Sequence, residues 1–142
     1  MKVNIKRIDK NLPLPEYQTN GAVGFDFVAR EEVRVKAGEM NFVPLNIVIK
    51  VPKGYGLFLF SRSSTPMKKG LIVANSVGVI DQDYSGEDDE LKLCVLNISK
   101  KIVTVEKGER IAQGVIIKIA KPQLFEVSKM SKKSRGGFGT TG

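Results

Sequence analysis

The sequence predicts an all-β domain, a sandwich or barrel with one short helix, and three observations carry that prediction. Short β-branched or apolar runs recur along the chain, turn residues separate them, and only one segment carries helix-boundary chemistry. Val3, Ile5 and Ile8 open an edge-like strand. Ala22 to Phe27 is a glycine-containing turn entering another. Val33 and Val35 alternate with Arg34 and Lys36 before Gly38 turns the chain. Ile47 to Val51 runs into the turn signal Pro52-Lys53-Gly54. Tyr55 to Phe60 is apolar at both parities and reads as a strand buried on both faces. Thr65 can cap a short helix, Pro66 suits its first position and Gly70 can stop it. Gly78 and Gly86 bracket a strand pair in hairpin fashion. Leu91, Leu93 and Val95 alternate with Lys92 and Cys94. Ile102 to Val105 is a short strand turned by Lys107-Gly108, and Ile111 to Ile119 is a long one. No internal repeat or second domain is visible.

Residues 1–127 form the core on this reading, and residues 128–142 are a flexible, glycine-rich C-terminal segment. That tail is rich in Lys, Ser and Gly, with Met130 and Phe138 as its only large apolar residues. It cannot fold alone and should stay mobile until something binds it.

The chain has 142 residues, enough for one domain that buries roughly two-thirds of its unfolded surface without staples. Hydrophobic residues make up 42%, yet no apolar run is long enough to span a membrane. Met1 to Leu12 lacks the apolar stretch of a secretory signal. Cys94 is the sole cysteine, which excludes an intrachain disulfide and a cysteine metal cluster. These features point to the reducing cytoplasm and to no membrane association. A formal charge of +8 and a pI near 9.6 favour an anionic partner, either nucleic acid or a polyphosphate nucleotide, and charge alone does not separate them. Lys2, Lys36, Lys50, Lys92 and Lys118 stand singly on strand-like segments and read as a solvated face. The count of zero histidines is more informative. A general base must then be a carboxylate, a perturbed lysine or a metal-bound hydroxide. Imidazole and thiolate metal sites are ruled out, which leaves oxygen-ligand ions such as magnesium.

Five glycine-containing segments carry charged or hydroxyl residues. In Ala22-Val23-Gly24-Phe25-Asp26-Phe27, Asp26 is either a turn aspartate or a hard oxygen donor that holds magnesium through water. Ser61-Arg62-Ser63-Ser64 lies between a strand and the short helix. It is either a polar capping turn or a phosphate cradle of hydroxyls, guanidinium and unpaired amides. In Asn75-Ser76-Val77-Gly78-Val79-Ile80-Asp81-Gln82-Asp83-Tyr84-Ser85-Gly86, Asp81 follows two β-branched residues that would aim it. The segment is either an Asp-rich hairpin turn or a device for activating water, with Tyr84 offering a flat ring to a sugar. Gly108-Glu109-Arg110-Ile111-Ala112-Gln113 supplies donors, and a salt bridge to a nearby carboxylate is the favoured role for Arg110. Arg135-Gly136-Gly137-Phe138-Gly139-Thr140-Thr141-Gly142 is either a disordered linker or a segment that closes over a nucleotide.

These five segments, in this order across residues 22–142, resemble the five motifs of the trimeric dUTPase family. Gly78-Val79-Ile80-Asp81 followed by Asp83-Tyr84 and Gly86 is the most specific part. The resemblance implies a jelly-roll-like distorted barrel of the β-clip type. It also implies a homotrimer whose sites form at subunit interfaces, each closed by a C-terminal lid. It implies hydrolysis of dUTP to dUMP and pyrophosphate, with Asp81 as the general base for water attacking the α-phosphorus. Magnesium would bridge the phosphates, Asp26 holding one of its waters. Ser63, Ser64 and Gln113 would bind the α- and β-phosphates, with Arg62 positioning their loop. Asn75 and the backbone around Gly78 would read uracil, and Tyr84 would exclude a 2′-hydroxyl. Arg135 and Thr140 would grip the γ-phosphate, and Phe138, followed by Gly139, would stack on the base. Three features depart from the family pattern: Arg135 and Phe138 are two residues closer than usual, Phe27 replaces an aliphatic residue, and Glu87-Asp88-Asp89-Glu90 lengthens a hairpin into an acidic run that reads as a solvated turn. The alternatives are a dCTP deaminase-like enzyme, which would lack the pairing of Asp81 with Tyr84, and a basic nucleic-acid-binding β-barrel. Stable nucleic-acid binding is not expected, because Tyr55 to Phe60 reads as core.

Overall fold

The computed structural model describes residues 1–137 and Gly139. Among these residues the chain forms eleven strands and one helix. In order they are β1 (Asn4–Arg7), β2 (Phe25–Val28), β3 (Val33–Val35), β4 (Met40–Pro44), β5 (Ile47–Lys50), β6 (Tyr55–Ser61), α1 (Thr65–Lys69), β7 (Leu71–Val73), β8 (Gly78–Ile80), β9 (Lys92–Asn97), β10 (Val103–Val105) and β11 (Arg110–Lys118). All the pairings are antiparallel. A four-stranded sheet runs β2-β11-β6-β8, a three-stranded sheet runs β4-β9-β7, and β1 with β5 and β3 with β10 form two ribbons. The fold is all-β with one short helix, as the sequence predicts.

The sheets close over one core because alternate residues of each strand point inward. Phe27, Leu57, Leu59 and Ile111 from the four-stranded sheet meet Val43, Leu45, Leu71, Leu91 and Leu93, all essentially inaccessible to water. Gly114 lies at the tightest point: a Cβ there would stand 2.7 Å from Phe27 Cε2 and 3.0 Å from Leu57 Cδ1. Glycine at this position lets β11 pass directly over two large core side chains.

Four local expectations change. The helix is capped by Ser64, not Thr65, which is instead its buried first residue, and no side chain caps the N-terminus. Its C-terminal stop is as read: Gly70 takes φ 67 and donates its N–H to Pro66 O. Residues 78–86 form no strand pair; β8 pairs with β6 in the register Leu57↔Ile80 to Leu59↔Gly78, and the chain beyond it turns. β6 is buried on one face only, with Phe58 and Phe60 half-exposed on the other. Finally, Glu90 is not part of a solvated turn. It is 8% exposed, bonds Arg30 Nε at 2.7 Å and accepts the backbone N–H of Asn46 at 2.9 Å. That ion pair holds the Arg30 guanidinium above its ordinary pKa. Beyond β11, residues 121–136 are exposed and carry no strand or helix. No helix among the described residues is long and apolar enough to cross a membrane.

Candidate active site

One row of side chains crosses the outer face of the four-stranded sheet. Asp26 of β2 is opposite Gln113 of β11, which is opposite Phe60 of β6. A bulge between Arg110 and Ala112 buries both Ile111 and Ala112. Arg110 and Gln113 consequently face outward three residues apart. Gln113 Nε2 donates to Ser61 O at 3.1 Å. Arg62, just past β6, brings Nε to 3.0 Å from Asp26 Oδ2, and Arg110 Nη1 lies 3.6 Å from the same oxygen. Arg110 also contacts Gln18. The salt bridge favoured for Arg110 is therefore present. Beside this cluster is a cavity of about 270 Å³ lined by Arg62, Ser64, Thr65, Lys68, Lys69, Glu109 and Arg110. Lys69 is committed to Glu109 at 2.9 Å and to Thr104 O at 2.7 Å. Lys68 and Ser63 are exposed. The corner is cationic and presents hydroxyls at the start of a helix, which suits a phosphate chain.

The second cluster surrounds β8. Asn75 is exposed in the turn entering the strand, Gly78 begins it, and Asp81 is exposed immediately after it. Asp81 O accepts Tyr84 N–H at 3.3 Å, so the four residues form a turn. Tyr84 Oη donates to Glu90 O at 3.2 Å. The ring is thereby tied to the chain leading into the Arg30–Glu90–Asn46 network. A cleft of about 490 Å³ is lined by Asp81, Gln82, Asp83 and Lys121. The sequence assigns no role to Gln82, Lys68 or Lys69, and its reading of Glu90 as part of a solvated turn is corrected above. Only the helical lysines carried a signal, as cations in the last turn of a helix beside a phosphate-like loop.

The phosphate corner and the Asp81 turn lie at opposite ends of β6, whereas Gly78, opposite Leu59, lies nearer the corner. Gln82 bonds to Tyr55 O at the start of that strand, while Arg62 and Ser64 follow its end. Seven residues of strand separate them, roughly 20 Å at 3.3 Å per residue. Arg135 and Gly139 are exposed in the tail. Phe138 and Thr140 lie outside the described residues.

The donor set accommodates magnesium in a restricted way. No group of three or more acidic, cysteine or histidine residues suited to a metal occurs among the described residues. Asp26 Oδ2 is nevertheless buried without a hydrogen-bond partner, because the nearby Arg62 Nε does not point at it well enough to form one. An orphaned carboxylate oxygen can accept from a metal-bound water, and magnesium commonly relies on one or two carboxylates plus substrate phosphates.

Comparison with known proteins decides the family. The family model for dUTPase matches residues 10–142. This chain belongs to the dUTPase family. Deoxyuridine 5'-triphosphate nucleotidohydrolase of Helicobacter pylori (strain Shi470) is 40% identical over 144 residues, which cover 100% of this chain and 97% of the relative. The protein of the same name from Hydrogenobaculum sp. (strain Y04AAS1) is 41% identical over 145 residues, covering 100% and 99%. Among solved structures, the dUTPase from Streptococcus mutans aligns with a TM-score of 0.78 at 36% identity, over 84% of this chain and 98% of that one. The Staphylococcus bacteriophage 80alpha dUTPase with dUPNHPP aligns with a TM-score of 0.86 at 26% identity, over 99% and 98%. Against the dUTPase family, the two clusters of this chain are the places to look for nucleotide chemistry.

Proposed function

We propose that this chain hydrolyses dUTP to dUMP and pyrophosphate, keeping uracil out of DNA, as a homotrimer with sites shared between protomers in the cytoplasm. One observation carries the reading: a family member divides an anion-facing corner from an exposed aspartate turn by the length of β6. A base that activates water must be within hydrogen-bond reach of its target. The phosphate corner of one protomer therefore needs the Asp81 turn of another. The half-open apolar face of the four-stranded sheet, with Phe58 and Phe60 half-exposed, Ile117 44% exposed and Val79 64% exposed, supports association.

In this mechanism Asp81 accepts a proton from water as that water attacks the α-phosphorus, and pyrophosphate leaves in line. Ser63, Ser64 and Gln113 hold the α- and β-phosphates, with Arg62 fixing their loop. Asn75 and the backbone at Gly78 receive the uracil edge, and Tyr84 covers the deoxyribose. Arg135 and Thr140 hold the γ-phosphate, while Phe138 stacks on the base with Gly139 allowing the close approach. Asp26 would hold one water of a bound magnesium ion, which would supply neutralisation of developing charge. The protein contributes chiefly positioning and electrostatics. Neither stable nucleic-acid binding nor membrane binding is part of this function.

Pyrophosphate release from dUTP, dCTP, dTTP and UTP, with and without magnesium, tests the reading. Release is expected from dUTP with magnesium. Ammonia from dCTP would establish the deaminase alternative instead. Light scattering should give three protomers, and mixing an Asp81→Asn variant with a tail-deleted one should restore activity after subunits exchange; a fully active monomer would refute shared sites. Deleting residues from Ser134 onward should lower turnover strongly while the core and the trimer survive, and normal turnover would reduce the tail to a linker.

A further inference from the structure

We infer that Gln82 is the positioning residue for Asp81, standing in for strand pairing that β8 does not provide. The inference rests on the reading of Asp81 as the base. β8 stops at Ile80, opposite Leu57. On the other side of β6, Gly54 O accepts Ile119 N–H at 2.9 Å. Successive carbonyls of a strand point to opposite edges, so the next one, Tyr55 O, faces the β8 edge after β8 has ended. Left alone there, it would be a polar group with no partner on the half-buried edge of the sheet.

Gln82 fills this position with its side chain. Its Nε2 donates to Tyr55 O at 2.7 Å and reaches Pro52 O at 3.5 Å. Its Oε1 accepts from Lys121 Nζ at 3.3 Å. Two carbonyls on one side and an ammonium on the other allow only one orientation of the amide. The residue is half-buried, whereas its neighbours Asp81 and Asp83 are exposed. No hydrogen bond or ion pair involves the Asp81 carboxylate among the described residues. Real strand pairing through residues 81 and 82 would have fixed the backbone in an extended form. A side-chain bond instead ends the ladder, lets the chain turn from Asp81 to Tyr84, and leaves the carboxylate open while its backbone is anchored from the adjacent residue. Lys121 extends the connection to the root of the tail.

Gln82→Leu keeps the bulk and removes the donor. Misplacement by about 1 Å can cost on the order of a hundredfold in rate, so kcat should fall by about tenfold or more. KM and the affinity for a non-hydrolysable imido analogue of dUTP should stay close to the parent values. The decisive readout is the double variant: in the Asp81→Asn background, Gln82→Leu should add almost nothing, since it acts through the missing carboxylate. Lys121→Met should give a smaller drop in kcat with the same unchanged KM, in a variant whose fold is not at risk. A normal kcat for Gln82→Leu alongside an inactive Asp81→Asn would overturn the positioning role alone, and so would a full additional loss in the double variant. An Asp81→Asn enzyme that retained most of its rate would overturn the base assignment, and this inference with it.

Discussion

The phosphate corner and the Asp81 turn are built on different principles. In the corner, the functional side chains hold one another: Arg62 and Arg110 converge on Asp26, and Gln113 binds the end of β6. Each sits on a paired strand or directly against one. In the turn, the Asp81 carboxylate proposed as the base is unengaged, and the neighbours do the holding. Gln82 ties the turn to Tyr55 O, and Glu90 O accepts the Tyr84 hydroxyl. A binding surface can pair its charges internally before a ligand arrives. A base cannot, because a carboxylate already occupied by a cation is a poorer proton acceptor. The structure leaves Asp81 open and puts the rigidity one residue away.

The largest effect expected from this contrast is that of Asp81→Asn. It should lower kcat by about 10²–10⁴-fold, the usual worth of a general base, with dUTP affinity largely kept. Isothermal titration with the imido analogue, beside a pyrophosphate assay, separates the two quantities, and a rate above roughly a tenth of the parent would contradict the base role. Next is Glu90→Ala, which leaves Arg30 without its buried partner and Asn46 N–H without its acceptor. Breaking such a pair costs about 3 kcal/mol. Denaturant unfolding should register that loss, and no change would show that the network does not support the turn.

Tyr84→Ala should act on selectivity more than on folding. If the ring closes the space beside the sugar, its removal should erode the preference for dUTP over UTP by about 1–3 kcal/mol, the cost of an unpaired buried hydroxyl. The ratio of kcat/KM for the two substrates measures it. Equal turnover of both by the unaltered enzyme would defeat the idea. The smallest effect concerns Asp9, which pairs with Lys107 at 2.7 Å. The hydrogen bond from Lys107, then the N–H of Asn11, hold its carboxyl below the ordinary carboxylate pKa. Its contribution to stability is therefore present above that ordinary value and is lost as the pH falls through the lower folded-state value. Lys107→Met should move this acid loss slightly upward in pH, and melting temperatures across the acid range would show whether it does.

How much of this was legible in the sequence depended on whether the signal was local. Val33-Arg34-Val35 and the run from Ile111 to Ile119 alternate or extend clearly enough to be read as strands. β4 and β7 were passed over: Met40–Pro44 has three exposed residues and ends in proline, and Leu71–Val73 has only three residues. The apolar character of Tyr55 to Phe60 suggested burial on both faces, but sequence alone does not say that a sheet face stays open in one protomer. Asp26, Arg62, Asp81 and Gln113 could be singled out as residue types. Their arrangement at two ends of one strand could not, since it depends on register between segments far apart in the chain. Glu90 was misread for the same reason. Its partners are Arg30 and Asn46, and nothing within the run Glu87-Asp88-Asp89-Glu90 distinguishes the one carboxylate that is buried.

The bulge at Ile111 sets the phase of everything downstream on β11. One extra residue between the pairs Arg110↔Val28 and Ala112↔Phe27 places Gln113 opposite Asp26 and Gly114 over Phe27 and Leu57. Without it the ladder would run straight from Arg110↔Val28 into Ala112↔Phe27, and the same strand would lack a side chain, Ile111, that is fully buried in the core. The bulge thus turns two consecutive residues, Ile111 and Ala112, into the core while Arg110 and Gln113 on either side of them both face outward.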